Sequence, residues 1–185
     1  MLTVSLVMAT YGRFGEVISF CDSLESQDYP LSHVELIIID QNSDDRLKYL
    51  LDNNAFSFRL KYLKSEKIGL SHNRNIGLAL CEGEIVAFPD DDCRYYRTTI
   101  CEAVRELQND SVDLVIGRIF DQETQENILK NWPNENRKVS LINYFKFSSS
   151  ITIFEKRDRV RRFDERLGAG CYYGSSEDLD YIGRG

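Results

Sequence analysis

The sequence predicts an α/β fold with a mostly parallel central sheet. Short apolar runs rich in β-branched residues alternate along the chain with segments of helical spacing, and polar turns follow several of the runs. Repeated strand–helix units of this kind imply parallel strands joined by right-handed crossovers. The 185 residues, 42% of them hydrophobic, suffice for one domain with a well-filled core.

The amino-terminal half contains three predicted strand–helix units. Apolar or alternating runs predict strands at residues 2–9, 34–39 and 58–63, and the continuous run at 34–39 is typical of a strand covered on both faces. A segment with helical spacing follows each strand. The inward positions are Phe14, Val17, Ile18, Cys21 and Leu24 in the first helix, Leu47, Leu50 and Leu51 in the second, and Ile76, Ala79 and Leu80 in the third, at residues 69–80.

The carboxyl-terminal half continues the pattern less regularly. Strands are predicted before residue 90, at 113–120 and at 151–154, and a Gly- and Tyr-rich turn is predicted at 168–174. One helix has its apolar face at Ile100, Ala103, Val104 and Leu107. Residues 121–138, around Trp132, predict a surface excursion. It serves either as a solvated loop or as a cover for a ligand.

Composition excludes several classes of protein. A net charge of −7 and a pI near 5.0 argue against a nucleic-acid binder. Five cysteines without a Cys-x-x-Cys pair and two histidines argue against a structural zinc site. The amino terminus has no basic leader and is too short for a membrane span, so we expect a cytoplasmic protein with reduced cysteines.

Three consecutive carboxylates, Asp90, Asp91 and Asp92, follow the apolar run at 84–89. Like charges this close repel one another even at a protein-like dielectric, which favours a cation that neutralises them. The alternative is an acidic turn in which one Asp caps the next helix and the other two are solvated.

Other polar residues also follow predicted strands, where ligands of open α/β sheets bind. Thr10, Tyr11 and Arg13 follow the first strand. Tyr11 either stacks on a flat ring or lies at the rim of a site. Asp40, after the second strand, either accepts a hydrogen bond from a base or ribose or caps the following helix. Arg74 either clamps a diphosphate or pairs with an acid on the surface.

Two further features bear on the chemistry. The chain has no G-x-G-x-x-G loop after the first strand and no G-x-x-x-x-G-K-[ST] loop, which argues against dinucleotide-binding proteins and P-loop NTPases. A late acidic pair, Glu177 and Asp178, follows two serines. It either opens a helix or supplies a carboxylate that takes a proton from an incoming hydroxyl.

Taken together, these segments resemble the family-2 glycosyltransferases, which are inverting enzymes with the GT-A nucleotide-sugar fold. The first strand and its turn, residues 4–13, resemble the family's opening segment, with Ala9 for the usual proline and Gly12 for the usual asparagine. Residues 37–43 resemble the nucleoside-binding strand. Residues 69–77 resemble the Gly-x-x-x-x-Arg-Asn-x-Gly segment, and residues 90–92 match the Asp-x-Asp signature.

The resemblance implies a role for each candidate residue. Asp92 would ligate Mn²⁺ or Mg²⁺, with Asp90 as its companion, because these cations suit oxygen ligands. Asp178 would be the general base, with Glu177 as the fallback. The residues expected to contact the donor are Thr10, Tyr11, Arg13, Asp40, Arg74, Asp90 and Asp91.

The resemblance also sets expectations for the whole chain. We expect a Rossmann-like α/β/α sandwich in a single GT-A catalytic domain over residues 1–185, truncated at its carboxyl end. Residues 1–110 would bind the nucleotide sugar and 111–185 would begin the acceptor-binding part. The donor would be a UDP-, GDP- or dTDP-sugar and the acceptor a saccharide or a lipid-linked molecule in polysaccharide or glycoconjugate synthesis. Peripheral association with the inner face of the plasma membrane is also implied.

Two alternatives stay open at this point. The chain could be a catalytically incomplete module that binds a nucleotide and a metal. It could also be a nucleotidyltransferase of similar topology, although the segment 10–15 is a poor match to the basic, Gly-rich loop that such enzymes use for a triphosphate. Phosphatase chemistry is disfavoured because Ala9 and Thr10 stand where its nucleophile would end the first strand.

Overall fold

The computed structural model describes residues 1–121, 123–128, 130–133, 135–140, 142–147 and 149–184. Within them, strands and helices alternate as far as the fourth strand–helix unit. The strands are β1 (Val4–Thr10), β2 (Val34–Asp40), β3 (Arg59–Lys64), β4 (Ile85–Ala87), β5 (Leu114–Ile116), β6 (Phe120–Asp121), β7 (Glu126–Asn127) and β8 (Ile153–Lys156). The helices are α1 (Gly15–Glu25), α2 (Arg46–Asp52), α3 (Leu70–Leu78), α4 (Thr99–Leu107) and α5 (Glu177–Gly183).

Six of these strands form the central sheet in the order β3-β2-β1-β4-β8-β5. The first four are mutually parallel, as predicted, whereas β8 runs antiparallel to both β4 and β5. The mostly parallel α/β sheet is therefore confirmed, with an antiparallel strand inserted near one edge. Strands β6 and β7 form a separate two-stranded hairpin.

Alternate residues of each central strand face two different cores. Val4, Leu6 and Met8 of β1 pack into the core that α1, α2 and α4 cover. Val7 faces the opposite side, where it joins a smaller cluster with Tyr181 of α5. The strands are thus buried on both faces, which explains why β1 and β2 are continuous runs of buried residues.

The predicted inward face of α3 is only partly confirmed: Ile76 is half-buried and packs against the smaller cluster, whereas Ala79 and Leu80 are exposed. The sequence favoured Ile76, Ala79 and Leu80, but the helix ends at Leu78, and the residues it buries are mostly polar. These are Ser71, Asn73, Arg74, Asn75 and Gly77. Several of them bond to distant loops: Ser71 donates to the carbonyl of Leu167, and the Asn75 amide exchanges two hydrogen bonds with the backbone of Phe163. Hydrogen bonding therefore outweighs the apolar pattern here.

The excursion at 121–138 is only partly solvent-facing. It contains β6 and β7, and Trp132 is 5% exposed, with its indole nitrogen donating to the carbonyl of Ile128. Gln122, Leu129 and Asn134 of this segment lie outside the described residues. Among the helices that the structure describes, none has both the length and the apolar character needed to cross a bilayer.

Candidate functional site

The strand register assembles the candidate site at the carboxyl ends of β1, β2 and β4. Thr10 pairs with Asp40, and Leu6 pairs with Ala87. Four residues beyond that second pair, the Thr10 hydroxyl donates a 2.8 Å hydrogen bond to Asp91. The last residue of β1 thus lies between the end of β2 and the Asp triplet, as the parallel sheet requires.

Asp40 is fully buried, and its carboxylate stabilises its own loop. One oxygen accepts hydrogen bonds from the backbone nitrogen and the side-chain amide of Asn42, at 2.8 and 2.7 Å. The other accepts from the Tyr62 hydroxyl at 2.6 Å. Asn42 in turn accepts from the backbone nitrogen of Gly12 at 2.7 Å, which fixes the turn after β1. Asp40 does not cap α2, because that helix begins only at Arg46.

Each carboxylate of the triplet has a different partner. Asp90 accepts a 2.8 Å hydrogen bond from Arg74, and Asp91 accepts from Thr10 and, at 3.4 Å, from the backbone nitrogen of Tyr11. Asp92 pairs with Arg13 at 3.0 Å, in an ion pair that is nearly half exposed on both sides. Asp90 and Asp92 are thus each paired with an arginine, whereas Asp91 has only uncharged donors. Cation binding at the triplet stays a prediction.

Arg74 is fully buried, contrary to the interpretation as a surface arginine. One terminal nitrogen donates to Asp90 and the other to the Ser150 hydroxyl, both at 2.8 Å. The guanidinium also lies 5.3 Å from the Phe163 ring centroid, while its Nε has no hydrogen-bond partner among the described residues. In this structure the arginine therefore holds an acid of the triplet.

The electrostatics of Asp90 follow from this packing. The surrounding protein raises the pKa of Asp90 to about 6, chiefly by burial, although 38% of the side-chain surface reaches solvent. Arg74 opposes that increase, whereas Asp91 and Asp178 add to it by repulsion. Burial likewise raises the pKa of Asp91. The pocket thus concentrates negative charge that a cationic partner would relieve.

The late acidic pair lies beside the triplet. Glu177 and Asp178 are the first two residues of α5, and the preceding Ser176 has a left-handed backbone with φ of 77°. Asp178 is close enough to repel Asp90, and its Oδ1 atom is buried without a hydrogen-bond partner among the described residues. Burial raises the pKa of Glu177, which lies near Arg74. The structure therefore brings together sequence segments almost 90 residues apart.

Tyr11 and Asp92 are the exposed members of the predicted site, and Arg13 is half-exposed. Tyr11 is 56% exposed. This exposure agrees both with a residue at the rim of the site and with a ring on which a flat ligand stacks. In the described part of the chain, no three His, Cys, Asp or Glu side chains converge to hold a metal by themselves. Any metal at the triplet would therefore need ligands from the substrate or from water.

The family model described as "Glycosyl transferase family 2" matches residues 5–174. The chain belongs to glycosyl transferase family 2. Among curated relatives, it is 25% identical to the poly(ribitol-phosphate) beta-N-acetylglucosaminyltransferase TarS of Staphylococcus aureus over 118 residues, which are 63% of this chain and 21% of TarS. It is 31% identical to the putative glycosyltransferase EpsH of Bacillus subtilis over 114 residues, which are 61% of this chain and 32% of EpsH.

Two solved glycosyltransferase structures have the same fold. S. aureus TarS 1–349 in complex with UDP-GlcNAc superposes with a TM-score of 0.74 at 22% identity, over 96% of this chain and 51% of that one. The mannosyltransferase PcManGT from Pyrobaculum calidifontis, in complex with GDP-Man and Mn²⁺, gives 0.67 at 20% identity, over 91% and 49%. These matches confirm the GT-A fold. The chain spans about half of each solved relative.

Three side chains at the candidate site were not among the residues predicted from the sequence. Ser150 follows two other serines before an apolar run, and that run of hydroxyls was the available signal. Gln41 donates to the Thr10 carbonyl and accepts from the backbone nitrogen of Gly69, so that it joins β1 to the start of α3. Lys130 interacts electrostatically with Asp178. Its position is set by long-range packing, for which the local sequence gives no signal.

Proposed function

We propose that this chain carries the donor-binding and catalytic part of an inverting glycosyltransferase. It would move a sugar from a nucleotide-diphospho-sugar to an acceptor hydroxyl, in polysaccharide or glycoconjugate synthesis. The observation that carries the proposal is Asp178, in a family 2 domain: its Oδ1 atom is buried near the Asp triplet and has no hydrogen-bond partner among the described residues. An unsatisfied buried acceptor costs stability, and a hydroxyl that arrives as substrate would satisfy it.

The proposed reaction is a single displacement at the anomeric carbon of the donor sugar. Asp178 accepts the proton of the acceptor hydroxyl as its oxygen forms a bond to the anomeric carbon. The bond from that carbon to the diphosphate oxygen breaks, and its electron pair leaves with the nucleoside diphosphate. Attack opposite the leaving group inverts the anomeric centre. Asp178 is half-buried in the first turn of α5. General-base catalysis by a positioned carboxylate typically increases the rate by about 10²–10⁴.

The donor would lie across the ends of β1 and β4. Tyr11 offers an exposed ring for the base, and Arg13 offers a half-exposed cation for the diphosphate. Arg74 would not contact the donor directly, because its buried guanidinium donates a hydrogen bond to the Asp90 carboxylate and holds it in place. Donors of this class accompany the solved relatives, since TarS was solved with UDP-GlcNAc and with UDP and PcManGT with GDP-Man.

The donor set at the triplet fits Mn²⁺ or Mg²⁺. Asp90 and Asp92 offer oxygen ligands only, and Mg²⁺ is commonly held by one or two carboxylates together with substrate phosphates. The lack of a three-acid cluster among the described residues agrees with a site that the diphosphate completes. When bound, the cation would supply charge neutralisation for the leaving diphosphate. The solved complex of PcManGT contains Mn²⁺.

The test compares two variants with wild type. Asp178→Asn should lose about 10²–10⁴ in transfer rate while nucleotide affinity stays unchanged, because the substitution preserves size and removes only the base. Asp92→Ala should lose the part of UDP, GDP or dTDP binding that Mn²⁺ supports. Thermal-shift titrations with Mn²⁺ or chelator measure binding, and release of nucleoside diphosphate measures turnover.

The matched control is Asp180→Asn. Asp180 is on the same first turn but pairs with Arg184 at 2.7 Å, so its loss should leave turnover intact. Full turnover in Asp178→Asn would remove the assigned base, and Glu177→Gln would then test the fallback. Nucleotide binding with neither transfer nor donor hydrolysis, even in a longer chain, would favour the incomplete binding module. Absence of metal-dependent nucleotide binding in folded protein would overturn the proposal.

A further inference from the structure

A cavity of about 600 Å³ is lined by two parts of the chain segment that connects β7 to β8. Its walls include Lys130, Arg137 and Lys146 together with the rings of Phe145 and Phe147. The segment from 130 to 147 contains four basic residues and one acidic residue, in a chain whose net charge is −7. The segment that lines the cavity is thus positively charged, whereas the protein as a whole is negatively charged.

Two of the three basic side chains that line this cavity are accessible to a ligand. Arg137 and Lys146 are exposed, and neither forms an ion pair with any described residue. The Lys146 ammonium lies 5.9 Å from the Phe145 ring centroid. Most of the other arginines and lysines near the sheet are already paired with acids. Exposed cations such as Arg137 and Lys146, which line one cavity without an ion pair to a described acid, are typical of sites for anionic groups.

The cavity adjoins α5, the helix that carries the proposed base. Asp178 acts electrostatically on Lys130, which lines the cavity. On the other wall, the 3₁₀ turn Tyr144–Lys146 packs against the end of α5, where a Cβ added to Gly183 would lie 2.9 Å from the Tyr144 hydroxyl. Buried Trp132, hydrogen-bonded to Ile128, anchors the first wall. Both walls are therefore tied to the structure beside the reaction centre.

We propose that this cavity binds a phosphate ester carried by the acceptor, so that the acceptor is an anionic, phosphate-bearing polyol or saccharide. The inference rests on the proposed function, because the acceptor hydroxyl must reach Asp178. Arginine and lysine bind phosphate through charge-assisted hydrogen bonds, and the two phenylalanines offer apolar surface to the carbon chain between phosphate and hydroxyl. The donor diphosphate has its own site at the triplet.

The probes are sn-glycerol 3-phosphate, uncharged glycerol as its control, and dihexanoyl phosphatidic acid, which separates a lipid phosphate from a polyol phosphate. Binding is followed by backbone amide NMR shifts, with and without saturating UDP and Mn²⁺. Wild type should bind glycerol 3-phosphate under both conditions and should not bind glycerol. The double variant Arg137→Gln/Lys146→Gln should weaken that binding by about tenfold or more. Added salt should weaken wild-type binding in the same direction.

Lys138→Gln is the matched control, since Lys138 is an exposed neighbour of Arg137 that does not line the cavity. It should bind glycerol 3-phosphate as wild type does. Equal binding to wild type and the double variant, or no binding to wild type, would overturn the inference. Loss of UDP affinity in the double variant would reassign the cavity to the donor diphosphate. Phosphatidic acid as the only phosphate bound would reassign it to lipid. Failure of wild type to bind UDP would count against the proposed function alone.

Discussion

Gly77→Ala should destabilise the protein, because α3 approaches β1 at this residue. A Cβ built on Gly77 would lie 2.4 Å from Cγ1 of Val7 and 3.5 Å from Cγ1 of Ile39. Both of those side chains are fully buried, so neither can turn toward solvent to make room. The helix or the sheet must shift instead. Gly77 ends the segment that resembles the family's Arg-Asn-x-Gly motif, and its role there is close packing.

The size of the effect is a difference between two terms. Overpacking of a close-packed core typically costs about 1–3 kcal/mol. A separation of 2.4 Å is far below normal contact, which places this variant toward the upper end. In the opposite direction, alanine inside a helix stabilises the folded state by about 0.5–1 kcal/mol relative to glycine. We therefore expect a net loss of about 2 kcal/mol, which for a chain of this size lowers Tm by about 4–8 °C.

Urea unfolding measures the change, with the midpoint expected to fall at constant m. Gly15→Ala is the matched control: it is the first residue of α1, and a Cβ there would meet no atom within 4 Å. It should be neutral or slightly stabilising. Val7→Ala/Gly77→Ala should be more stable than the two single losses predict, because removing the Val7 methyl groups relieves the clash. Wild-type stability in Gly77→Ala, or strict additivity in the double variant, would refute the reasoning.

Two further predictions concern buried carboxylates. Burial acts to raise the pKa of Glu35, but hydrogen bonds from Ser5, the Glu82 backbone and two cations outweigh it and lower that pKa from 4.5 to about 2. This stabilisation is present above pH 4.5 and is lost as the pH falls toward 2. Acid titration of unfolding should therefore show Glu35→Gln less stable than wild type by up to about 3 kcal/mol at pH 7 and nearly equal at pH 2; a constant difference would contradict the linkage. Tyr181→Phe should cost about 1–3 kcal/mol in urea unfolding, because it removes a 2.6 Å hydrogen bond to buried Glu155, and unchanged stability would count against that bond.

Much of the fold could be predicted because buried faces of strands and helices require apolar residues at regular spacing in the sequence. The strand at Val34–Asp40 and the helix at Thr99–Leu107 appear where apolar periodicity indicated them, and all four predicted inward residues of that helix are buried. The direction of Ile153–Lys156 could not be predicted. A strand's pattern is the same in either direction, and the long connection before it permits both. Polar burial on α3 was missed because its hydrogen-bond partners come from residues 163–167, about 90 positions away.

The candidate site also has features that the sequence predicts and features that it does not. The proximity of the candidate residues could be predicted, because the carboxyl ends of parallel strands meet at one edge of the sheet whatever the loops do. Individual partners could not be predicted. Arg74 pairs with Asp90 and Ser150 rather than with a surface acid, and Asp40 bonds to Asn42 and Tyr62. Each pairing depends on side-chain geometry across elements. The nucleotide, metal and base roles of these residues stay predictions until ligands are tested.

The partners of the triplet indicate the order in which a divalent cation would replace them. Asp90 is held by a fully buried arginine, so that breaking the pair would leave a buried charge uncompensated. The Asp91 hydrogen bond comes from the buried hydroxyl of Thr10. The ion pair of Asp92 with Arg13 is nearly half exposed on both sides, and pairs of that kind contribute little to stability. A cation would therefore displace Arg13 from Asp92 at the lowest cost. The released arginine would then be available to the diphosphate that completes the site.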